Sequence, residues 1–359
     1  MGHPATPRIN MTSNDHIQTE PHPTCVVCGG SGTPKYRDLT DRLFGAPGSW
    51  TIRECDAPAC GTLWLDPRPT LADIGKAYGD YYTHGDAQQR TFVKRTVRAL
   101  ARELAASRYG FSASRLPWPG KHLATALAML YPGLAAHLDL LVRYLPASAY
   151  GGGRLLDVGC GDGEALEILR DLGWQVCGVE VDAQAVTAAR RRDLDVKQGT
   201  LAAAGFPDET FDAVTSSHVI EHVHDPRAFL AESRRVLRGG GTLVAVTPNA
   251  RARCHRHHGA DWLNLDSPRH LVLFTPQSLA ALAASVGFRE IRVISTARAV
   301  ALTEIASSKL HEEGTYHWGQ WPGLSLWTRA QVKQVLESLY QRIGVGRDQG
   351  SELVLMALR

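Results

Sequence analysis

From residue 151 to the end, the chain repeats one pattern: a short apolar run, a turn, then a stretch of helical period. Arg154-Leu155-Leu156-Asp157-Val158 leads through a glycine-rich turn into a helix over about 164–172. The run 175–180 leads into a second helix over about 183–192. Further apolar runs stand at 213–216, 242–246, 291–294 and 353–357, the last after a helix at about 328–343, where an extra strand would return to the sheet. Strands that alternate with helices dictate an α/β fold, with a mostly parallel sheet covered on both faces.

In such a sheet, ligands sit beyond the carboxyl ends of the strands, where Gly159-Cys160-Gly161-Asp162-Gly163 follows the first one. A dinucleotide fingerprint would need glycine where Glu164 stands. The turn instead carries Asp157 and Asp162, whose carboxylates repel a pyrophosphate and suit a ligand with a nearby cationic group, such as an amino-acid ammonium. The second strand ends in Glu180, 23 residues after Asp157. That is close to the spacing of roughly 20 that brings a carboxylate onto ribose hydroxyls. Together the two acids describe an aminoacyl-nucleoside.

Leu155-Leu156-Asp157-Val158-Gly159-Cys160-Gly161-Asp162-Gly163, followed by Val179-Glu180, resembles the first two motifs of class I S-adenosylmethionine-dependent methyltransferases. The resemblance continues through Gly199-Thr200-Leu201, Phe211-Asp212-Ala213-Val214, the segment from His218 to Pro226 and Leu237-Arg238-Gly239-Gly240-Gly241. It implies a Rossmann-like seven-stranded sheet over residues 151–359. It also implies a cofactor site in which Glu180, with Val181 beside it, holds the ribose. Asp157, Gly159, Cys160 and Gly161 would line the methionine end, Thr200 and Leu201 would lie near the adenine, and His218 beside the cofactor. Where many relatives carry an acid for the adenine amino group, this chain has Thr200.

Methyl transfer asks the protein to position a nucleophile and take its proton. In similar small-molecule O-methyltransferases the Glu-His pair after the fourth strand stands at the acceptor, which makes His222 the candidate general base. A segment over 259–271 resembles a loop that relatives insert after the fifth strand. Trp262, Arg269 and His270 would close there over an acceptor, Trp262 mainly by packing and the other two by recognising an anionic or hydroxylated group. Cys254-His255-Arg256-His257-His258 reads as a solvated basic loop, since no carboxylate in the sequence completes a ligand set.

Four of the seven cysteines form two close pairs, Cys25/Cys28 and Cys55/Cys60. Four soft ligands suit a closed, structural zinc site that supplies folding energy to a small module in a reducing compartment, so a cytoplasmic location is expected. The surrounding residues 25–84 resemble the zinc-binding N-terminal part of methyltransferases acting on sugars and secondary metabolites. Tyr81 and Tyr82 would reach the acceptor side. Residues 1–24, polar and rich in proline, read as a disordered tail without an export signal. Residues 85–150 carry apolar positions at helical spacing and read as a helical lid or dimer surface. Their most apolar stretch is broken by Pro132, Gly133, His137 and Asp139, so no membrane span is expected.

With 39 Lys and Arg against 36 Asp and Glu, the net charge of +3 falls short of what a dedicated nucleic-acid binder carries. The expectation is a small-molecule methyltransferase, O-directed, acting on a natural product, sugar or glycan precursor. C- or N-methylation, RNA methylation with the zinc module as reader, and cofactor binding without turnover are the competing readings.

Overall fold

The structure is a computed structural model that describes residues 16–79, 103–104, 109, 138–145 and 152–359. Its N-terminal part contributes strands β1 (Thr19–Glu20), β2 (Gly32–Leu39), β3 (Trp50–Cys55), β4 (Leu63–Leu65) and β5 (Arg68–Pro69). The C-terminal part contributes β6 (Arg154–Val158), β7 (Gln175–Glu180), β8 (Val196–Gln198), β9 (Phe211–Ser217) and β10 (Leu237–Pro248). Three more strands follow: β11 (Val272–Leu273), β12 (Arg289–Thr296) and β13 (Glu352–Leu358). The large sheet has seven strands in the order β12-β13-β10-β9-β6-β7-β8. Its interior pairs are parallel, and β13 runs antiparallel between β10 and β12, so the last run does return to the sheet. This is the Rossmann-like methyltransferase arrangement, with the strand order reversing at β6 and β9.

Alternation along β6 sets the layers. Leu155 faces a cluster with Leu166, Leu169, Val186 and Ala189, whereas Leu156 and Val158 face a second cluster with Phe229, Leu230, Leu279 and Leu282. The first group belongs to helices α1 (Glu164–Asp171) and α2 (Ala183–Arg190). The second belongs to α3 (Pro226–Val236) and to a later helix, Pro276–Ser285. Both faces of the sheet are thereby removed from water. Helix starts are written locally: Asp182 and Asp225 accept from amides two or three residues on, and Thr275 with Ser278 closes a capping box.

Between α3 and the Pro276–Ser285 helix lies α4 (Arg253–His258), then two single 3-10 turns and β11. The Pro276–Ser285 helix is α5, and it is followed by α6 (Val300–Glu313) and α7 (Leu324–Arg342).

The N-terminal part is not a separate body. β11 pairs antiparallel with β4, so the four-stranded sheet β11-β4-β3-β2 draws one strand from the far side of the chain. Cys25, Cys55, Cys60, Trp50 and Trp64 share one buried cluster with Leu156 and Val214 of the large sheet. The stretch read as a tail is ordered in its last part: Thr19 and Glu20 pair with Pro69 and Arg68, and Ile17 is buried. Most of the helical zone expected over 85–150 lies outside the described residues. Within it, residues 138–141 are helical, and Leu138, Val142 and Leu145 pack into the α1/α2 cluster. Among the described residues no helix is long and apolar enough to cross a membrane.

Candidate active site

The candidate site has two parts, one on the turn after β6 and one beyond β9. The first is built on the glycine turn. Gly159 has φ +72°, and a Cβ there would stand 2.3 Å from Val219 Cγ2, so the turn must come this close to the segment after β9. Gly161, at φ +56°, meets nothing within 4 Å where its Cβ would be, which leaves its backbone open to a ligand. Its amide donates to Glu180 Oε2 at 2.9 Å, and Glu180 Oε1 accepts from the Asp182 amide at 3.0 Å. These bonds fix the carboxylate at the strand end, and each of its oxygens keeps a second lone pair for a ligand hydroxyl. Val181 is 65% exposed beside it, an apolar shelf at the mouth of the crevice. Leu201 is buried below, and Thr200 is exposed. Gly161, Glu180 and Val181 thus place an open backbone, a fixed carboxylate and an exposed apolar side chain at one strand end.

Several expected contacts are differently placed. Asp157 is wholly buried, and its carboxylate accepts from Arg143 at 2.9 Å and from Thr215 Oγ1 at 2.7 Å. It is a buried ion pair beneath the turn, not a free acid facing a ligand ammonium. Asp162 likewise turns away, paired with Arg192 at 2.5 Å. The Cys160 thiol points inward, where a Cβ on Gly178 would stand 2.6 Å from its Sγ, and burial pushes its pKa up. Only the backbone of Cys160 remains for a cofactor. Thr200 Oγ1 accepts from the Ala203 amide at 3.2 Å, closing its own turn.

The second part is a cavity of about 180 Å³ whose lining includes Phe44, His218, His222, His270, Leu302 and Arg298. His218 follows β9 at φ +56°, a left-handed conformation that is uncommon for any residue with a Cβ. Two carboxylates hold it there: Nδ1 lies 3.0 Å from Glu221 Oε1 and Nε2 lies 3.0 Å from Glu352 Oε1. Burial opposes its charge, but these hydrogen bonds outweigh burial and raise its pKa to about 10. Glu221, the acid of the Glu-His pair, is completely buried. It also accepts from Thr247 Oγ1 at 2.9 Å, and His218 brings its pKa down to about 2 against the penalty of burial. Arg298 completes the network on Glu352. Glu221 and Glu352 thus face an imidazolium and a guanidinium, and Asp266, also on the lining, is paired with Arg269.

His222 sits on the same wall with the opposite character. Its Nδ1 lies 3.1 Å from the Arg269 carbonyl oxygen and 3.0 Å from the Tyr78 hydroxyl. A carbonyl only accepts, so Nδ1 carries the proton and Nε2 keeps the lone pair. Burial, helped by the neighbouring His270 ring 4.6 Å away, lowers the pKa to about 4. His222 is therefore a neutral imidazole near pH 7.

Arg269 does not reach the acceptor side. It is fully buried, donating to both Asp41 oxygens at 2.7 and 2.8 Å, to Asp266 and to the Ala77 carbonyl at 3.0 Å. It bolts the N-terminal part to the segment after β10. Burial is outweighed by the Arg269 hydrogen bonds and charge, so Asp41 is held below the usual carboxylate range. Trp262 is buried and stacked on His255 with ring centroids 4.4 Å apart, a packing role. His270 does line the cavity, its Nδ1 2.7 Å from the Asn264 carbonyl. Tyr81 and Tyr82 lie outside the described residues. Tyr78, Arg298 and Glu352 are the site residues the sequence reading missed. Only Glu352, an acid opening an otherwise apolar strand, left a signal.

At the edge of the four-stranded sheet, one ligand atom from each of Cys25, Cys28, Cys55 and Cys60 lies within 4.8 Å of the others. Sγ of Cys25 and Cys60 are 3.7 Å apart, and those of Cys28 and Cys55 are 3.4 Å apart. The edge of a tetrahedron with zinc–sulfur bonds of about 2.3 Å is roughly 3.8 Å, so the donor set fits zinc. Tight turns present the thiols: the Gly29 amide donates to Cys25 O, and the Cys60 amide donates to Ala57 O.

Residues 131–293 match a family model described as a methyltransferase domain. A probable S-adenosylmethionine-dependent methyltransferase of Mycolicibacterium smegmatis is 37% identical over 138 residues, 38% of this chain and 53% of the relative. A ubiquinone biosynthesis O-methyltransferase of Cereibacter sphaeroides is 36% identical over 125 residues, 32% of this chain and 49% of the relative. The chain thus spans about half the length of these curated relatives. Among solved structures, phosphoethanolamine N-methyltransferase 2 of Haemonchus contortus aligns with TM-score 0.44 and 16% identity, over 83% of this chain and 62% of that one. The strand order, and not this likeness, carries the fold.

Proposed function

We propose that this chain, which contains a class I S-adenosylmethionine-dependent methyltransferase domain, transfers a methyl group from that cofactor to a hydroxyl of a small molecule. When bound, the cofactor supplies an electrophilic methyl group on its sulfonium. The observations that carry the reading are the Glu180 carboxylate fixed by the Gly161 amide at the end of β7 and the cavity beyond β9 in which His222 offers a neutral nitrogen. Glu180 holds the ribose, and Val181 and Leu201 flank the base. His222 Nε2 takes the hydroxyl proton as the new bond forms. With its pKa held near 4 the nitrogen is unprotonated at neutral pH, at the cost of being a weaker base than an ordinary imidazole. Tyr78 and the Arg269 carbonyl fix its tautomer.

The paired charges of the cavity lining, with Phe44 and Leu302 as apolar walls, support an uncharged hydroxylated acceptor with an apolar body, as in natural products and sugar or glycan precursors. The four N-terminal cysteines hold a structural zinc in this reading.

Mass spectrometry of products formed from labelled cofactor and panels of hydroxylated metabolites tests the proposal. A methylated hydroxyl is the expected product. Methylation confined to nitrogen, carbon or RNA, or no transfer by a cofactor-bound chain, contradicts it.

A further inference from the structure

The run Cys254-His255-Arg256-His257-His258, which in sequence has no carboxylate partner, acquires one in the fold. Cys254 and His258 stand four residues apart on α4 and so share a face, and Glu304 of α6 comes against that face. One ligand atom from each of the three lies within 4.8 Å of the other two. The group is enclosed: Cys254 and Glu304 are buried, and the His258 side chain is only 8% exposed. The run is thus not a solvated loop.

His258 Nε2 supplies a second, independent observation. It is a buried nitrogen 3.3 Å from Glu304 Oε1, in ion-pair contact with it but without a well-aligned hydrogen bond. An imidazole nitrogen, a carboxylate oxygen and a thiol sulfur that converge in a buried group are donors a cation can draw together. We propose that Cys254, His258 and Glu304 form a second divalent-cation site, distinct from the four-cysteine cluster, which fastens α4 to α6.

One thiolate, one imidazole and one carboxylate are the mixed donors that zinc accepts, with a fourth position left for water or a further oxygen. Glu337 of α7 adds a carboxylate in the field of both Cys254 and Glu304. The facing cations are Lys333, which binds Glu304 Oε1, and Arg253 and Arg256, which act on Glu337. Lys333 is a surface side chain on a flexible stem and can yield that oxygen to an ion. Leu302 and Thr303, immediately before Glu304, line the acceptor cavity, so an ion here would steady that wall from behind.

The test is zinc content of the purified full chain after equilibration in a zinc buffer, compared with Cys254→Ala, His258→Ala and Glu304→Gln. Each substitution is expected to remove one equivalent per chain, while Cys28→Ser removes a different one. Variants that keep wild-type zinc content overturn the proposal. Should the variants not fold, cadmium-113 NMR of the wild-type chain decides. A resonance of mixed sulfur, nitrogen and oxygen ligation is expected upfield of the four-sulfur signal, and its absence overturns the proposal.

Discussion

His218 and His222 are four residues apart and line one cavity, yet their surroundings drive them to opposite charge states. His218 is clamped between Glu221 and Glu352 and stays protonated, with a pKa of about 10. His222 faces a carbonyl, a phenol and another imidazole and stays neutral. The pair therefore divides the work: one imidazolium is structural, the other ring is free to accept a proton. His222→Ala is expected to lower turnover about a hundredfold or more while leaving cofactor affinity unchanged. In the wild type the acid limb of kcat/KM should break near pH 4, not 6.5. A break at 6.5, or full turnover by the variant, removes His222 as base. Removing Arg269 should act on stability instead. Arg269→Met leaves Asp41 and Asp266 buried without their cation, and a loss of about 3–5 kcal/mol is expected from denaturant unfolding. A wild-type midpoint in that variant contradicts the bolt.

At the scale of elements, the strands and helices of the large sheet were legible because each obeys a local rule. Leu155 and Leu156 alternate across β6, the glycines mark the turn, and Asp182 and Asp225 cap the next helices. What sequence could not show was long-range pairing. Asp157 looks like a ligand acid until Arg143 is found on it, and Arg269 looks like an acceptor contact until Asp41 is brought from 228 residues away. Glu304 is likewise invisible to Cys254 until α6 packs on α4. The same limit hid the fourth strand of the N-terminal sheet, since β11 is only two residues long and its partner β4 lies some 200 positions earlier. The structural zinc proposed at the cysteine cluster would make that sheet depend on metal. Stripping the chain with a strong chelator should expose Trp50 and Trp64, both buried, and shift tryptophan emission to the red. Unchanged emission after complete metal removal contradicts a structural zinc.

For the whole molecule, the two parts of the chain share one core and one ion-pair network, so they should unfold together. Proton linkage follows from the same burial. His222 and His255 are neutral in the fold, each with a pKa lowered to about 4, whereas the unfolded chain protonates them near 6.5. The unfolded state binds more protons between those values, so stability should fall as pH drops from about 6.5 towards 4. His218 has the opposite sign: its contribution is complete below 6.5 and is lost as pH rises through about 10. Thermal melts across this range should pass through a maximum near neutrality, and a monotonic rise or fall would contradict the burial of these rings.

The most direct measurement is a calorimetric titration of S-adenosylmethionine into the wild-type chain and into Glu180→Ala. One cofactor should bind per wild-type chain, and the variant should lose about 10- to 100-fold in affinity, the effect of removing a charged hydrogen-bond acceptor. No binding to the wild type, or equal affinity in both, would contradict the account.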